Sequence, residues 1–96
     1  MALLDENNEL VQIFKLMGHP IRLSIIRLLK DEEFLNVGSI VDALELPQAT
    51  VSQQLAKLKA GNIVTAQRDG TKVRYSLTNE HVVHIIETLN NEDYEG

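Results

Sequence analysis

Near its middle the chain reads LPQATVSQQLAKL, from Leu46 to Leu58. Within this segment, Val51, Leu55 and Leu58 recur at positions i, i+4 and i+7, which places them along one face of a helix. The opposite face carries short or amide-bearing side chains and one lysine, namely Gln48, Ala49, Ser52, Gln53 and Lys57. A glutamine can donate to and accept from a base edge in the DNA major groove, and a serine can do either. The pattern therefore predicts a helix that contacts DNA, which we term the recognition helix.

The length and composition are those of one small globular domain. The chain has 96 residues, of which 44% are hydrophobic, so we expect residues 1–96 to form a single domain with a modest core. No run of about 18 apolar residues and no secretory leader is present, which makes a cytoplasmic protein without a membrane partner the expectation. The sequence contains no cysteine, which excludes disulfides and thiolate metal sites.

The charges are distributed unevenly along the chain. The formal net charge is −5, yet residues 48–77 carry five cations against a single Asp69, a local charge of +4. The acidic residues gather instead toward the two ends of the chain. Such segregation is typical of a protein that presents one face to a polyanion and keeps its termini away from it.

The segments before the recognition helix predict three further helices. Residues 5–17 have helical spacing with Asp5 as a candidate cap, and a second, largely apolar helix begins at Pro20. A third runs over residues 37–44, and the short connection 45–47 leads into the recognition helix. Two short helices joined in this way predict a helix-turn-helix over residues 37–60.

A β-hairpin is predicted after the recognition helix, over residues 63–77. Asp69-Gly70 is a strong hairpin signal, because a type I′ turn needs positive φ at both central residues. With those two residues as the loop, the predicted facing pairs are Val64 with Tyr75, Ala66 with Val73, Thr65 with Arg74, and Gln67 with Lys72. A last helix is predicted over residues 79–89. The predicted fold class is mainly α (α+β), a winged helix-turn-helix.

The two ends of the chain offer more apolar surface than so small a domain can easily cover. We therefore expect a homodimer in which residues 1–17 and 79–96 form the dimerisation helices. The candidate interface residues are Leu10, Phe14, Val82, Ile86 and Leu89. Two-fold symmetry would place two recognition helices about 34 Å apart, one helical turn of DNA.

The sequence resembles the ArsR/SmtB family of small bacterial repressors. The resemblance is carried by LMGHPIRL at residues 16–23, LPQATVSQQL at residues 46–55 and GTKVRYSL at residues 70–77. It implies a homodimeric winged helix that binds operator DNA and leaves when an inducer binds. It also implies that the base edges are met by Gln48, Ala49, Ser52 and Gln53, with Thr50 at the DNA backbone. For the wing, phosphate or minor-groove contact is the hypothesis for Arg68, Lys72 and Arg74, and a solubilising role is the alternative.

The histidines match the metal-site pattern of the resembled family only in part. On the last helix His81 fits, whereas Asn79 replaces an acidic ligand and Glu92 and Glu95 replace histidines. We therefore expect no metal and no other cofactor. The alternative is a metal-sensing repressor that holds a divalent ion with His81, His84, Glu92 and Glu95.

An enzyme is not expected, because no phosphate loop, nucleophile elbow or carboxylate pair is present. A second alternative is a winged helix used as a protein-interaction module, which the excess of acidic over basic residues suggests. The sequence names neither the operator nor an inducer.

Overall fold

The computed structural model describes residues 4–91, which form five helices and three strands. In chain order these are α1 (Glu9–Met17), α2 (Pro20–Lys30), β1 (Leu35–Asn36), α3 (Val37–Leu44), α4 (Gln48–Ala60), β2 (Val64–Asp69), β3 (Lys72–Leu77) and α5 (Glu80–Asn91). The predicted winged helix-turn-helix is confirmed, with α3 and α4 as its two helices and β2–β3 as its wing.

The first helix is shorter than predicted. It begins at Glu9, because the Asn8 side chain accepts a hydrogen bond from the Leu10 N–H at 2.8 Å. Asp5 is therefore not the cap; its carboxylate accepts from the Asn7 N–H at 3.0 Å in the segment before the helix. Both side chains are short acceptors that suit a helix start, and the sequence pattern does not distinguish between them.

The second helix is the centre of the packing. His19 caps it through Nδ1, which accepts from the Ile21 N–H at 3.2 Å, and Pro20 occupies the first turn, where its missing N–H costs nothing. All five helices and the base of the wing contribute to one core, whose buried members are Ile13, Met17, Ile25, Ile26, Leu29, Ile40, Val51, Leu55, Leu58, Ile63, Val64, Val82 and Ile86. No helix within residues 4–91 combines the length and apolar character needed to cross a membrane.

The sheet has three strands, one more than predicted. Its order is β1-β3-β2, with both pairings antiparallel. Strand β1 contributes only Leu35 and Asn36, which pair with Tyr75 and Arg74. Two residues are too few to show the alternation typical of a strand, so β1 can be identified only from its pairing with β3. Its effect is to join the base of the wing to the start of α3.

The wing turn lies one residue beyond the predicted position. Asp69 pairs with Lys72, so the connecting residues are Gly70 and Thr71 rather than Asp69-Gly70. Gly70 has φ +66, whereas Thr71 does not have a positive φ, as in a turn with glycine first. The observed partners are Val64 with Leu77, Thr65 with Ser76, Ala66 with Tyr75, and Gln67 with Arg74. Each partner is displaced by two residues, an even number, so the predicted division into two faces survives although every predicted pair is wrong.

Candidate nucleic-acid interface

The recognition helix α4 is anchored by its inner face. Val51, Leu55 and Leu58 are all 0% exposed, which confirms the predicted apolar stripe. The connection 45–47 sets the angle at which α4 leaves α3. It contains Glu45 in the left-handed region at φ 54, whose N–H donates to the Val41 carbonyl at 2.8 Å and ends α3.

The outer face of α4 presents the residues that were predicted to meet base edges. Gln48, Ala49, Ser52 and Gln53 are all exposed, and their spacing places them on adjacent turns at the amino-terminal half of the helix. Thr50 is half-buried, and Lys57 is exposed one turn beyond Gln53. The side chain of Pro47 cannot cap the first turn, so the amide groups there have no side-chain acceptor. A polar face and uncapped amides thus lie at one end of the helix.

Gln54 has a structural role that the sequence analysis did not identify. It is 8% exposed, and its Oε1 accepts from Arg22 Nη1 at 3.0 Å. Arg22 Nε also donates to the Leu16 carbonyl at 2.8 Å, at the end of α1. The position of Gln54, three residues after Val51, places it on the buried side of α4 and is the pattern that could have identified it.

The three cations of the wing do not lie on one face. Arg68 pairs with Val73 and belongs to one side of the hairpin, whereas Lys72 and Arg74 belong to the other. Lys72 is exposed beside the turn, at the outer end of the wing. The hairpin therefore presents Lys72 and Arg68 in opposite directions.

Arg74 is engaged within the chain. Its guanidinium lies 4.1 Å from the centroid of the Phe34 ring, and it forms an ion pair with the Asp69 carboxylate. A guanidinium at this distance over an aromatic face is held by the ring quadrupole. Phe34, which sequence analysis did not single out, therefore positions the cation together with Asp69.

A cleft of about 370 Å³ connects the recognition helix to the wing. It is lined by residues from the start of α3, the start of α4 and the wing, which are Asn36, Val37, Gly38, Gln48, Thr71, Lys72, Val73 and Tyr75. Gln48, the first residue of α4, and Lys72, beside the wing turn, thus border one concave surface. The fold brings together two regions that are separated by more than 20 residues in the sequence.

The candidate dimer residues fall into two groups. Leu10, Phe14 and Leu89 are 46%, 56% and 50% exposed, so they remain available to a partner. Val82 and Ile86 are 0% and 2% exposed within the single chain, so they present almost no surface to a partner in this arrangement. They lie on the side of α5 that is packed into the domain core. A helix with apolar residues on more than one side does not reveal in its sequence which side is buried within its own domain.

The alternative metal site has two of its four residues within the described part of the chain. His81 and His84 are exposed on α5, and Glu92 and Glu95 lie outside the described residues. Residues 4–91 contain no group of three or more His, Cys, Asp or Glu side chains that could hold a metal ion. Asn79 Oδ1, at the position of the family's acidic ligand, accepts from the His81 and Val82 N–H groups at 3.0 and 3.2 Å and caps α5.

Together these features define a class of protein. A three-residue turn between α3 and α4, an exposed polar face on the second helix and a hairpin wing beside it are the parts of a winged helix-turn-helix that binds DNA. The described residues therefore have the architecture of this DNA-binding class.

Comparison with known proteins identifies the family. The model of the bacterial regulatory protein, arsR family, matches residues 19–66. The transcriptional repressor PagR of Bacillus anthracis is 42% identical over 82% of this chain and 79% of its own length. The crystal structure of PagR matches with a TM-score of 0.79, over 85% of this chain and 93% of that one, at 40% identity. The chain therefore belongs to the ArsR/SmtB family of DNA-binding transcriptional regulators.

Two other proteins of known sequence or structure support the same assignment. HlyU from Vibrio cholerae N16961 is 34% identical and superimposes with a TM-score of 0.81 over 85% of this chain and 88% of its own. The HTH-type transcriptional repressor SmtB of Mycobacterium tuberculosis is 38% identical over 78% of this chain. That match spans about 55% of the length of SmtB.

Proposed function

We propose that the protein is a homodimeric transcriptional repressor that binds a palindromic operator. The observation that carries this proposal is the shared surface of Gln48 and Lys72, which joins the polar face of α4 to the wing. PagR and SmtB are both named as transcriptional repressors, which supports repression rather than activation as the effect on transcription.

Base contact is assigned to the amino-terminal half of α4. Its exposed amides and hydroxyl, on Gln48, Gln53 and Ser52, suit the donor and acceptor pattern of the major groove, while Ala49 leaves room for close approach. Thr50 and Lys57 border this face and are assigned to the DNA backbone. A helix of 13 residues held by four buried side chains presents these groups in a fixed arrangement, as base contacts require.

Phosphate contact is assigned to the wing, with Lys72 as its principal cation. Lys72 is exposed beside the turn, and the ion pairs in the described part of the chain do not include it. Arg68 faces the other side of the hairpin and is a secondary candidate. Arg74 contributes to the local positive charge, but its contacts with Phe34 and Asp69 favour a role in holding the wing. The local charge of +4 lets a protein of net charge −5 attract DNA on this side.

The proposed dimer uses the apolar side chains that α1 and α5 leave exposed. Leu10 and Phe14 lie one turn apart on α1, and Leu89 lies near the end of α5. Large apolar side chains grouped on a surface mark a contact site in small soluble domains. A two-fold axis at these ends would repeat α4 at about 34 Å, which matches successive major grooves on one side of the DNA.

The binding proposal is tested with DNA from upstream of the protein's own gene. Fluorescence anisotropy at several salt concentrations should show tight binding that weakens linearly in log affinity against log salt. A scrambled duplex of the same composition should bind at least about a thousandfold more weakly. Equal and salt-independent signals on both duplexes would instead favour the protein-interaction module.

The dimer proposal is tested by sedimentation equilibrium of Phe14→Glu. A charge placed beside Leu10 on the exposed side of α1 should shift the protein to the monomer, because an unpaired charge is costly in an apolar contact. Thr65→Glu, an equal charge on an exposed site of β2, is the control and should remain dimeric. A dimeric Phe14→Glu variant would place the interface elsewhere.

The proposal includes no resident metal. Its support is the capping role of Asn79, whose side-chain oxygen already accepts two backbone N–H groups. Calorimetry of the apoprotein with zinc, nickel and cobalt tests it, and the expected result is no binding tighter than millimolar. Micromolar binding that is lost in His81→Ala would establish the alternative sensor formed by His81, His84, Glu92 and Glu95.

A further inference from the structure

Arg22 connects the end of the first helix to the recognition helix. Its Nε donates to the Leu16 carbonyl at 2.8 Å and its Nη2 to the Lys15 carbonyl at 3.4 Å. Its Nη1 donates to Gln54 Oε1 at 3.0 Å. One guanidinium therefore bonds both the carboxyl-terminal carbonyls of α1 and a side chain on the inner face of α4.

A second contact joins the same two helices. Gly61 follows α4 with φ −86, a value that any residue can adopt, so its backbone does not require glycine. The space there is occupied by a neighbour: a Cβ at Gly61 would lie 2.2 Å from Leu16 Cδ1, so any larger residue would displace the Leu16 side chain. The end of α1 is thus seated directly against the end of α4.

The contact between Arg22 and Gln54 is polar, although Gln54 lies on the buried side of α4. Gln54 lies between Val51 and Leu58 on the buried side of the helix, where an apolar side chain would pack without losing hydration. Hydrogen bonds depend on direction as well as distance, whereas apolar contacts tolerate sliding. A buried amide held by a guanidinium therefore specifies one orientation of α4 relative to α1.

We propose that Arg22 and Gln54 are positioning residues that set the distance between the two recognition helices and so the operator spacing that the protein accepts. Because α1 forms part of the dimer proposed above, an orientation of α4 fixed against α1 is also fixed against the symmetry axis. Neither residue contacts DNA in this role. Gln54 acts from the inner face of α4, next to the exposed base-contacting residue Gln53.

The test compares two palindromic duplexes, one with the natural half-site spacing and one with a base pair inserted at the centre. One inserted base pair rotates and displaces one half-site, so a rigid dimer should prefer the natural spacing. Gln54→Met keeps the length and burial of the side chain but removes the hydrogen-bond acceptor of Arg22. In this variant the affinity for the natural spacing divided by that for the inserted spacing should fall by about tenfold, within the usual range of a coupling between sites.

Neighbouring and conservative substitutions give the controls. Gln53→Met makes the same change on the exposed face; it should weaken binding to both duplexes alike and leave the ratio unchanged. Gln54→Glu retains an acceptor for Arg22 and should keep the wild-type ratio. Arg22→Lys should lower the ratio as Gln54→Met does, because one ammonium nitrogen cannot occupy the three separate positions from which Nε, Nη1 and Nη2 donate.

Circular dichroism and sedimentation must show that each variant is folded and dimeric, and Arg22→Lys takes the place of Gln54→Met if the latter does not fold. A wild-type ratio in both variants would overturn the positioning role while leaving the proposed repressor intact. A wild-type protein with no spacing preference would overturn the dimeric operator binding itself.

Discussion

The recognition helix and the wing are both assigned to DNA, but the fold holds them in different ways. The helix is anchored along its length by Val51, Leu55 and Leu58, each 0% exposed. The wing is anchored at its base by the buried Val64, and every residue from 67 to 72 is exposed. One element is part of the core, and the other extends from it.

This difference matches the two kinds of contact. Base edges are recognised by hydrogen bonds whose donors and acceptors must be placed within a few tenths of an ångström, which requires a rigid support. Phosphate attraction is long-range and tolerates movement of the cation. The comparison therefore predicts that changes in α4 alter stability and sequence preference, and that changes in the wing alter the salt dependence.

The largest expected effect is on stability. Leu55→Ala should lower the free energy of unfolding by about 2–5 kcal/mol, because it leaves a cavity in the core. Val73→Ala, at a half-buried site of the wing, should cost less than about 1 kcal/mol. Urea unfolding followed by circular dichroism measures both. Equal losses would mean that the wing is as firmly packed as the helix.

The second effect is on discrimination between DNA sequences. Gln53→Ala should reduce the preference for operator over scrambled DNA by about 1–3 kcal/mol, since it removes a base contact. Its unfolding free energy should change little, because the side chain is exposed. Competition binding at constant salt gives the preference. A uniform loss on both duplexes would assign Gln53 to the backbone instead.

The third effect is on salt dependence. Lys72→Ala should lower the slope of log affinity against log salt by about one and leave sequence preference unchanged. Lys30→Ala is the control with an equal charge change, since Lys30 lies on α2 and pairs with Glu87 at 3.8 Å. Its slope should equal that of the wild type. If Lys72→Ala also keeps that slope, Lys72 serves only solubility.

The smallest effect concerns the contact that holds the wing. A double-mutant cycle with Phe34→Leu and Arg74→Met should give a coupling of about 0.5–1 kcal/mol in unfolding free energy, the usual value for an exposed guanidinium over a ring. A coupling near zero would show that the 4.1 Å contact contributes nothing, and would return Arg74 to the phosphate-contacting cations of the wing.

The periodic parts of the chain were predictable because their periodicity is local. The inner stripe of α4, the polar outer face and the turn before it all follow from residues close together in the sequence. The hairpin was predictable in kind but not in register, since Asp69-Gly70 and Gly70-Thr71 are both acceptable turns. The structure selects the second, which pairs Asp69 with Lys72 and brings the Asp69 carboxylate to Arg74.

Long-range pairings could not be predicted in the same way. Strand β1 exists because β3 is available to pair with it, and the burial of Val82 and Ile86 reflects where α5 is packed. Arg22 meets Gln54 across 32 positions, a contact that no local pattern encodes.

The sequence alone determined the class of the molecule, because amphipathic spacing, turn residues and the resemblance to a known family are all carried by contiguous segments. The tertiary structure determined which of several chemically equivalent side chains remain available for contact with another molecule. Among the wing cations, Lys72 is exposed and Arg74 is engaged; among the apolar residues at the ends, Phe14 is exposed and Val82 is not. Availability depends on neighbours that are distant in sequence, and such neighbours are defined only once the helices and strands have packed together.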